Sequence, residues 1–195
     1  MKISTLAKVF SCRKDLVYFC KQLLPTKVFA CEVGVFRGYF SKTLYDILNP
    51  EIIYLIDSSF DKFVSFKGNY ICCQGNSYEE LEKIPDEFLS FIYIDAGHSY
   101  EDIKRDIKQA HKKIIHHGII QFNDYCNYDC ITDKKYGVLK AVNEYIENYN
   151  VEIIGISLSK NGFHDLALKV NKNFQKNLNI SKSNRPKIFN HKLLI

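Results

Sequence analysis

Val28-Phe29-Ala30-Cys31-Glu32-Val33-Gly34-Val35-Phe36-Arg37-Gly38 decides how the rest of the chain is read. A mostly apolar run ends on an acid and a glycine, with a second glycine following at Gly-x-x-x-Gly spacing. The run is the right length for a buried strand and too short for a helix. Glycine lets the chain turn tightly there and lets a ligand approach its backbone. From Gly38 the pattern becomes helical up to Leu48, where Asn49-Pro50 closes it. Strand, glycine turn and helix make the first unit of an alternating chain.

The alternation continues downstream. Ile52–Ile56 is a second apolar run ending at Asp57, Tyr70–Cys73 a third, and Leu89–Ile94 a fourth ending at Asp95. Gly75 and a Ser77-x-x-Glu80 capping box open a short helix after the third run. After the fourth, Ser99-x-x-Asp102 caps a helix whose apolar stripe is Ile103, Ile107, Ala110 and Ile114. Gly118–Phe122 is the fifth run, and Val138, Val142, Tyr145 and Tyr149 mark another helix. Short, nearly all-apolar strands alternating with helices predict a parallel sheet covered on both faces. Val151–Ser157 and Phe163–Val170 flank an Asn161-Gly162 turn, which predicts a hairpin and one late strand running against the others. Upstream, Ile3, Leu6, Phe10, Leu16, Phe19 and Leu23 have roughly helical spacing, so one or two leading helices are expected before Pro25-Thr26.

At 195 residues and 46% hydrophobic composition the chain fits one soluble domain. No apolar run approaches the roughly 18 residues a membrane span needs, and Arg13-Lys14-Asp15 interrupts any secretory signal early. A cytoplasmic address is expected. Seven cysteines argue against a secreted disulfide framework, and Cys126 with Cys130 lacks a second pair to complete a metal site. The net charge of +5 resides in residues 171–195, which hold Lys172, Lys176, Lys182, Arg185, Lys187 and Lys192 and no acid. Without that basic tail the body is near neutral, which speaks against nucleic acid as a partner. The expected layout is a helical segment over 1–27, a binding domain over 28–170 and a solvated tail over 171–195.

In doubly wound sheets ligands bind outside the carboxyl ends of the strands. Polar residues gather there: Glu32 and Gly34, Asp57, Asn76 and Ser77, Asp95 and His98, then Asn123 and Asp124. The glycine turn lacks the third glycine of a pyrophosphate fingerprint, and no Gly-Lys-Ser/Thr phosphate loop is present. An acid about 20 residues past the turn, as Asp57 is, can accept hydrogen bonds from both hydroxyls of a ribose. His111, His116 and His117 read as surface residues near a helix end, and His164 as an exposed hairpin residue.

Phe91-Ile-Tyr-Ile-Asp95-Ala-Gly97-His98-Ser-Tyr-Glu101-Asp, taken with the glycine turn, Gly75-Asn-Ser77 and Gly118-Ile-Ile-Gln-Phe-Asn-Asp124-Tyr125, resembles the class I S-adenosylmethionine (SAM)-dependent methyltransferases. Within them it is most similar to a group with an Asp-x-x-His-Ser-Tyr-Glu motif, which includes macrolide sugar O-methyltransferases and relatives of cephalosporin-tailoring enzymes. The resemblance covers roughly residues 28–170. It implies a doubly wound α/β fold with a mostly parallel, seven-stranded sheet finished by an antiparallel hairpin, a finish that also separates it from dehydrogenases. It implies SAM as cofactor, with Glu32, Gly34 and Gly38 around its methionine part, Asp57 on the ribose, and Asn76 and Ser77 beside the adenine.

Metal-using members of that group hold Mg²⁺ with the acid matching Asp95 and two adjacent acids after the fifth strand, and use the residue matching His98 as base. Here the adjacent pair is Asn123-Asp124, and an amide ligates Mg²⁺ without bringing charge. An imidazole with an ordinary pKa of about 6.5 suits proton removal near neutral pH. The resemblance therefore implies O-methylation of a small hydroxylated molecule, a sugar or secondary metabolite. Two alternatives stay open: methyl transfer to nitrogen or RNA, and a nucleoside-binding domain with other or lost catalysis. Assembly into an oligomer stays open as well.

Overall fold

The computed structural model describes residues 3–172. The solvated basic tail expected from the sequence lies, from residue 173 onward, outside the described residues. In chain order the elements are β1 (Ile3–Phe10), α1 (Arg13–Leu23), β2 (Phe29–Val33), α2 (Tyr39–Leu48), β3 (Ile52–Asp57), β4 (Tyr70–Gln74), α3 (Ser77–Lys83) and β5 (Leu89–Ile94). Then follow α4 (Tyr100–Lys113), β6 (Ile114–Phe122), the two-residue strands β7 (Tyr128–Asp129) and β8 (Lys134–Lys135), α5 (Val138–Asn148), β9 (Val151–Ser157) and β10 (Asp165–Val170). The main sheet has eight strands in the order β1-β9-β10-β6-β5-β2-β3-β4, while β7 and β8 pair separately. Only β10 runs against its neighbours, antiparallel to both β6 and β9. This is the class I methyltransferase fold, with all seven expected strands present.

The eighth strand corrects the reading of the leading segment. Ile3–Phe10 is not helical; it pairs in parallel with β9, Phe10 opposite Ser157. Side chains do not drive this, since Ile3 and Val9 remain 61% and 67% exposed. The strand instead satisfies the outer edge of β9, whose backbone groups would otherwise lack partners. β-branched Ile3, Thr5 and Val9 tolerate the extended conformation, and the apparent helical spacing was too short to outweigh that pairing.

Two cores flank the sheet. On one face α1 and α2 bring Leu16, Val17, Leu44 and Leu48 onto Phe91, Tyr93 and Ala167. On the other, α3, α4 and α5 bring Leu81, Ile107, Val142 and Tyr145 onto Ile92, Phe122 and Leu168. β5 is buried along its whole length, with Phe91 and Tyr93 facing one core and Ile92 and Ile94 the other. That explains why its sequence reads as a continuous apolar run. Each such side chain contributes about 1.5–3 kcal/mol on burial, and Ile92→Ala would cost about 2–5 kcal/mol.

Helix starts match expectation unevenly. The Ser99 hydroxyl accepts from the Asp102 amide, as the capping box requires. The box expected at Ser77 does not form: Asn76 occupies the cap position, and the Ser77 hydroxyl donates instead to Asp106, 2.5 Å away. His116 and His117 lie on β6, which begins four residues earlier than expected because no turn separates it from α4. His111 is drawn against Tyr145 and Tyr149, and burial lowers its pKa to about 4. His164 is half-buried and its Nδ1 accepts from the Ser159 amide.

Candidate active site

Strand order reverses at β2, which pairs with β3 on one side and β5 on the other. At such a point the loops leaving adjacent strand ends diverge and open a crevice. Gly34 sits at its base with φ +91°, and a Cβ there would lie 1.9 Å from the Asp95 carbonyl oxygen. Glycine is required twice over, by backbone conformation and by the close approach of β5. Phe36 also has positive φ, a strained state for an aromatic residue, and the turn ends at Gly38 with φ +77°.

Asp57 explains how the turn holds that shape. Its Oδ2 accepts from the Val35 and Phe36 amides at 2.7 and 2.8 Å, and its Oδ1 accepts from the Ser59 amide at 3.1 Å. Partial burial pushes its pKa up, but these amides outweigh it, so the carboxylate lies below its ordinary range. The Ser58 hydroxyl donates to Oδ1 as well, at 3.3 Å, which fills the roughly four acceptor directions of the carboxylate, so a ligand hydroxyl would take the place of Ser58.

A cavity of about 740 Å³ opens above the turn, and its walls include Glu32, Gly34, Asp57, Asn76, Ser77 and Asp95. These residues come from the ends of β2, β3, β4 and β5. Gly38 is not on the wall; it begins α2 with its Cα against the Phe63 ring. Glu32 forms part of the floor, buried, and accepts the Ser41 hydroxyl. Burial raises its pKa to about 8, against the opposing pull of Ser41 and Arg13. Ser77 is braced by Asp106, whose pKa burial raises to about 6. Tyr78 and Arg105 stand beside it, the guanidinium 5.1 Å from the ring centroid.

A second cavity, about 700 Å³, lies beyond Arg13, which lines both. Because β1 is parallel to β9, its end delivers Ser11, Cys12 and Arg13 to the same edge as the other carboxyl ends. Arg13 Nη1 donates to the Tyr93 hydroxyl at 3.2 Å and to Asn123 Oδ1 at 3.5 Å, and it lies 3.8 Å from Asp95 Oδ2. The guanidinium also covers the Phe40 ring at 4.0 Å. The Tyr93 hydroxyl donates to buried Asp165 at 3.0 Å, and Gln121 donates to the same carboxylate. Burial raises Asp165 to about 6.

Asp95, His98 and Asp124 form the one cluster among the described residues able to hold a metal ion, with ligand atoms within 4.8 Å of one another. His98 Nε2 is 3.2 Å from Asp124 Oδ2 and 3.7 Å from Asp95 Oδ1, in hydrogen-bond line with neither. Burial lowers the His98 pKa, but the two carboxylates raise it further, for a net upward shift. Burial and neighbouring Asp124 raise Asp95 to about 7. Asn123 is oriented otherwise than a ligand: its amide nitrogen donates to Asp95, and its oxygen accepts from Arg13 and lies 3.1 Å from the Tyr93 hydroxyl. His98 stacks on Tyr136 with centroids 4.4 Å apart and lines neither cavity, whereas Asp124 lines the second. All seven cysteines are free.

Sequence reasoning missed Arg13, Tyr93, Asp106 and Asp165. A tyrosine inside the apolar run Phe91–Ile94 was a usable signal, because a buried hydroxyl needs a partner. Arg13 gave none.

Residues 31–125 match a family model described as a methyltransferase domain. No curated protein is similar enough in sequence to count as a relative. Among solved structures, a Corynebacterium glutamicum protein is 11% identical, with 83% of this chain and 82% of that one covered and a TM-score of 0.61. An O-methyltransferase from Bacillus cereus, in complex with SAH, is 13% identical over 80% of this chain and 78% of its own, TM-score 0.56. The precorrin-6y C5,15-methyltransferase of Geobacter metallireducens is 15% identical over 80% and 86%, TM-score 0.55. At these identities the likeness is one of fold.

Proposed function

We propose that the protein is a SAM-dependent methyltransferase that transfers a methyl group to an oxygen of a small hydroxylated molecule. The observation that carries this reading is the cavity at the switch point, where residues from four consecutive strand ends face one space. Its volume of about 740 Å³ suits a nucleoside-sized ligand. The methyltransferase-domain match over residues 31–125 supports it. Asp57 would accept from the ribose hydroxyls, Asn76 and Ser77 would flank the adenine, and Glu32, Gly34 and Asp95 would face the methionine part. Gly38 would act by starting α2. A cationic ligand over Glu32 would favour that residue's ionised form.

Bound SAM would supply a methyl group on a cationic sulfur, which would keep the electron pair of the broken bond as the acceptor oxygen took the methyl, and the hydroxyl proton would have to leave. Most of the acceleration comes from aligning two bound reactants. Asp124, on the wall of the second cavity with His98 behind it, is placed to take the proton. His98 thus acts through Asp124, a refinement of its expected role as the base. Asp95, His98 and Asp124 could also hold Mg²⁺, which would polarise the acceptor oxygen. Asn123 would not be a ligand in its present orientation; it would orient Asp95.

The test is binding of SAH, the demethylated product, followed by transfer of label from SAM into a metabolite extract. At a hundredfold excess over its dissociation constant, SAH should stabilise the fold by about 2.7 kcal/mol. Absence of any shift would remove the cofactor assignment. Binding without transfer to any acceptor would leave a nucleoside-binding protein.

A further inference from the structure

The second cavity has a wall unlike the first. Ile131 and Leu158 line it while 70% and 48% exposed, which places large apolar side chains in water at its mouth. Behind them stand the rings of Tyr136 and Phe163, with centroids 6.4 Å apart. Two acids on the wall already hold partners, while Ser11, Ser159 and Lys160 stand on the same wall. Asp129 accepts the amides of Ile131 and Thr132 and the Thr132 hydroxyl, and Asp165 holds Tyr93 and Gln121. A flat apolar ring would cover Ile131 and Leu158, whereas a polyol would leave both side chains against polar groups.

The far end of the cavity is the opposite. Arg13 stands there, and among the described residues its hydrogen bonds all leave from Nη1. The remaining guanidinium donors stay available at the partition between the two cavities. A fixed cation at that point suits an oxygen that gains negative charge as it loses its proton. A phenolic hydroxyl ionises near pH 10, close enough to neutral that a neighbouring cation can bring out its ionised form.

We propose that the second cavity is the acceptor site and takes a hydroxylated aromatic molecule, with its ring against Ile131, Leu158, Tyr136 and Phe163 and its oxygen held by Arg13. The assignment rests on the methyltransferase reading and narrows it from hydroxylated molecules at large to phenols. Arg13 is then a specificity-determining residue, and it reaches the site because β1 is a strand.

Binding is measured with 4-nitrophenol and, separately, methyl glucoside, each titrated into protein saturated with SAH. 4-Nitrophenol should bind without displacing SAH, and methyl glucoside should not bind. Leu158→Asp, a surface change, should weaken 4-nitrophenol about tenfold or more while SAH affinity stays within about twofold. Arg13→Gln should weaken the phenolate selectively, so that the rise in affinity with pH through the probe's own ionisation disappears. Equal binding of methyl glucoside, competition between 4-nitrophenol and SAH, or unchanged 4-nitrophenol affinity in both variants would overturn the assignment. SAH binding is read first and alone. If SAH fails to bind while 4-nitrophenol binds and responds to both variants, the cofactor reading falls and the aromatic site stands.

Discussion

The two cavities share Arg13 and little else. Walls of the first come from consecutive strand-turn-helix units, Glu32 to Asp95, each of which sets its own strand end by local chemistry. Walls of the second come from Ser11–Arg13, from the segment between Asn123 and Tyr136 and from the β9–β10 turn, the first more than a hundred residues away in the chain from the other two. The first is backbone-rich and anchored, with turn amides tied to Asp57. The second is apolar at its mouth and lined by exposed loops. On the function proposed above, the cofactor site is built into the sheet and the acceptor site is hung on its periphery.

If that contrast is right, substitutions on the first side should cost both fold and cofactor. Gly34→Ala is the harshest case: a methyl against the Asp95 carbonyl at positive φ should cost about 3 kcal/mol and abolish SAH binding. A denaturant midpoint and an SAH titration would check it, and a fully stable variant would mean the β2–β5 junction gives way easily. Asp57→Ala should come next. It strands the amides of Val35, Phe36 and Ser59, for a loss of about 1–3 kcal/mol and about a hundredfold in SAH affinity. Because the folded-state pKa of Asp57 is lowered, its contribution is present above the unfolded value and lost as pH falls through the folded one. Wild type and Asp57→Ala should therefore converge in stability in acid.

Glu32 gives a subtler effect of opposite sign. Its folded pKa of about 8 lies above the unfolded value of about 4.3, so the native state holds a proton the unfolded state has released. Stability associated with it is complete below pH 4.3 and declines as pH rises through 8. Glu32→Gln removes that decline, so thermal melts should show the variant gaining on wild type between pH 5 and pH 8. A constant difference would mean Glu32 ionises freely in the fold. The smallest effect belongs to the second side. Ile131→Ser should leave stability within about 0.5 kcal/mol and SAH affinity unchanged. A large loss in either would dissolve the distinction between the two cavities.

The resemblance of roughly residues 28–170 to methyltransferases and the pattern of strand ends made one side of the site legible. Asp57 could be assigned because the acid closing a strand, a fixed distance after a glycine turn, is set by the βα unit itself. Asp95 and Asp124 were legible for the same reason. Asn123 was expected as a metal ligand; the direction of its amide depends on Tyr93 and Arg13 arriving from elsewhere. His98 was seen as a candidate base, yet its stacking on Tyr136 depends on the path of the loop between β6 and α5.

By itself the sequence determined the alternation of apolar runs and helices, the glycine turn, the antiparallel finish and the acids at the strand ends. Each follows from short-range constraints: side-chain periodicity, glycine's access to positive φ, and the capping of helix starts. Tertiary structure alone decided that Ile3–Phe10 is a strand, since its partner β9 lies about 150 residues away and its side chains bury little. That pairing carries Arg13 to the strand-end edge and joins the two cavities at one guanidinium. Local preference could not foresee it, because the free energy that makes β1 a strand resides in backbone hydrogen bonds to an edge formed only when the fold is complete.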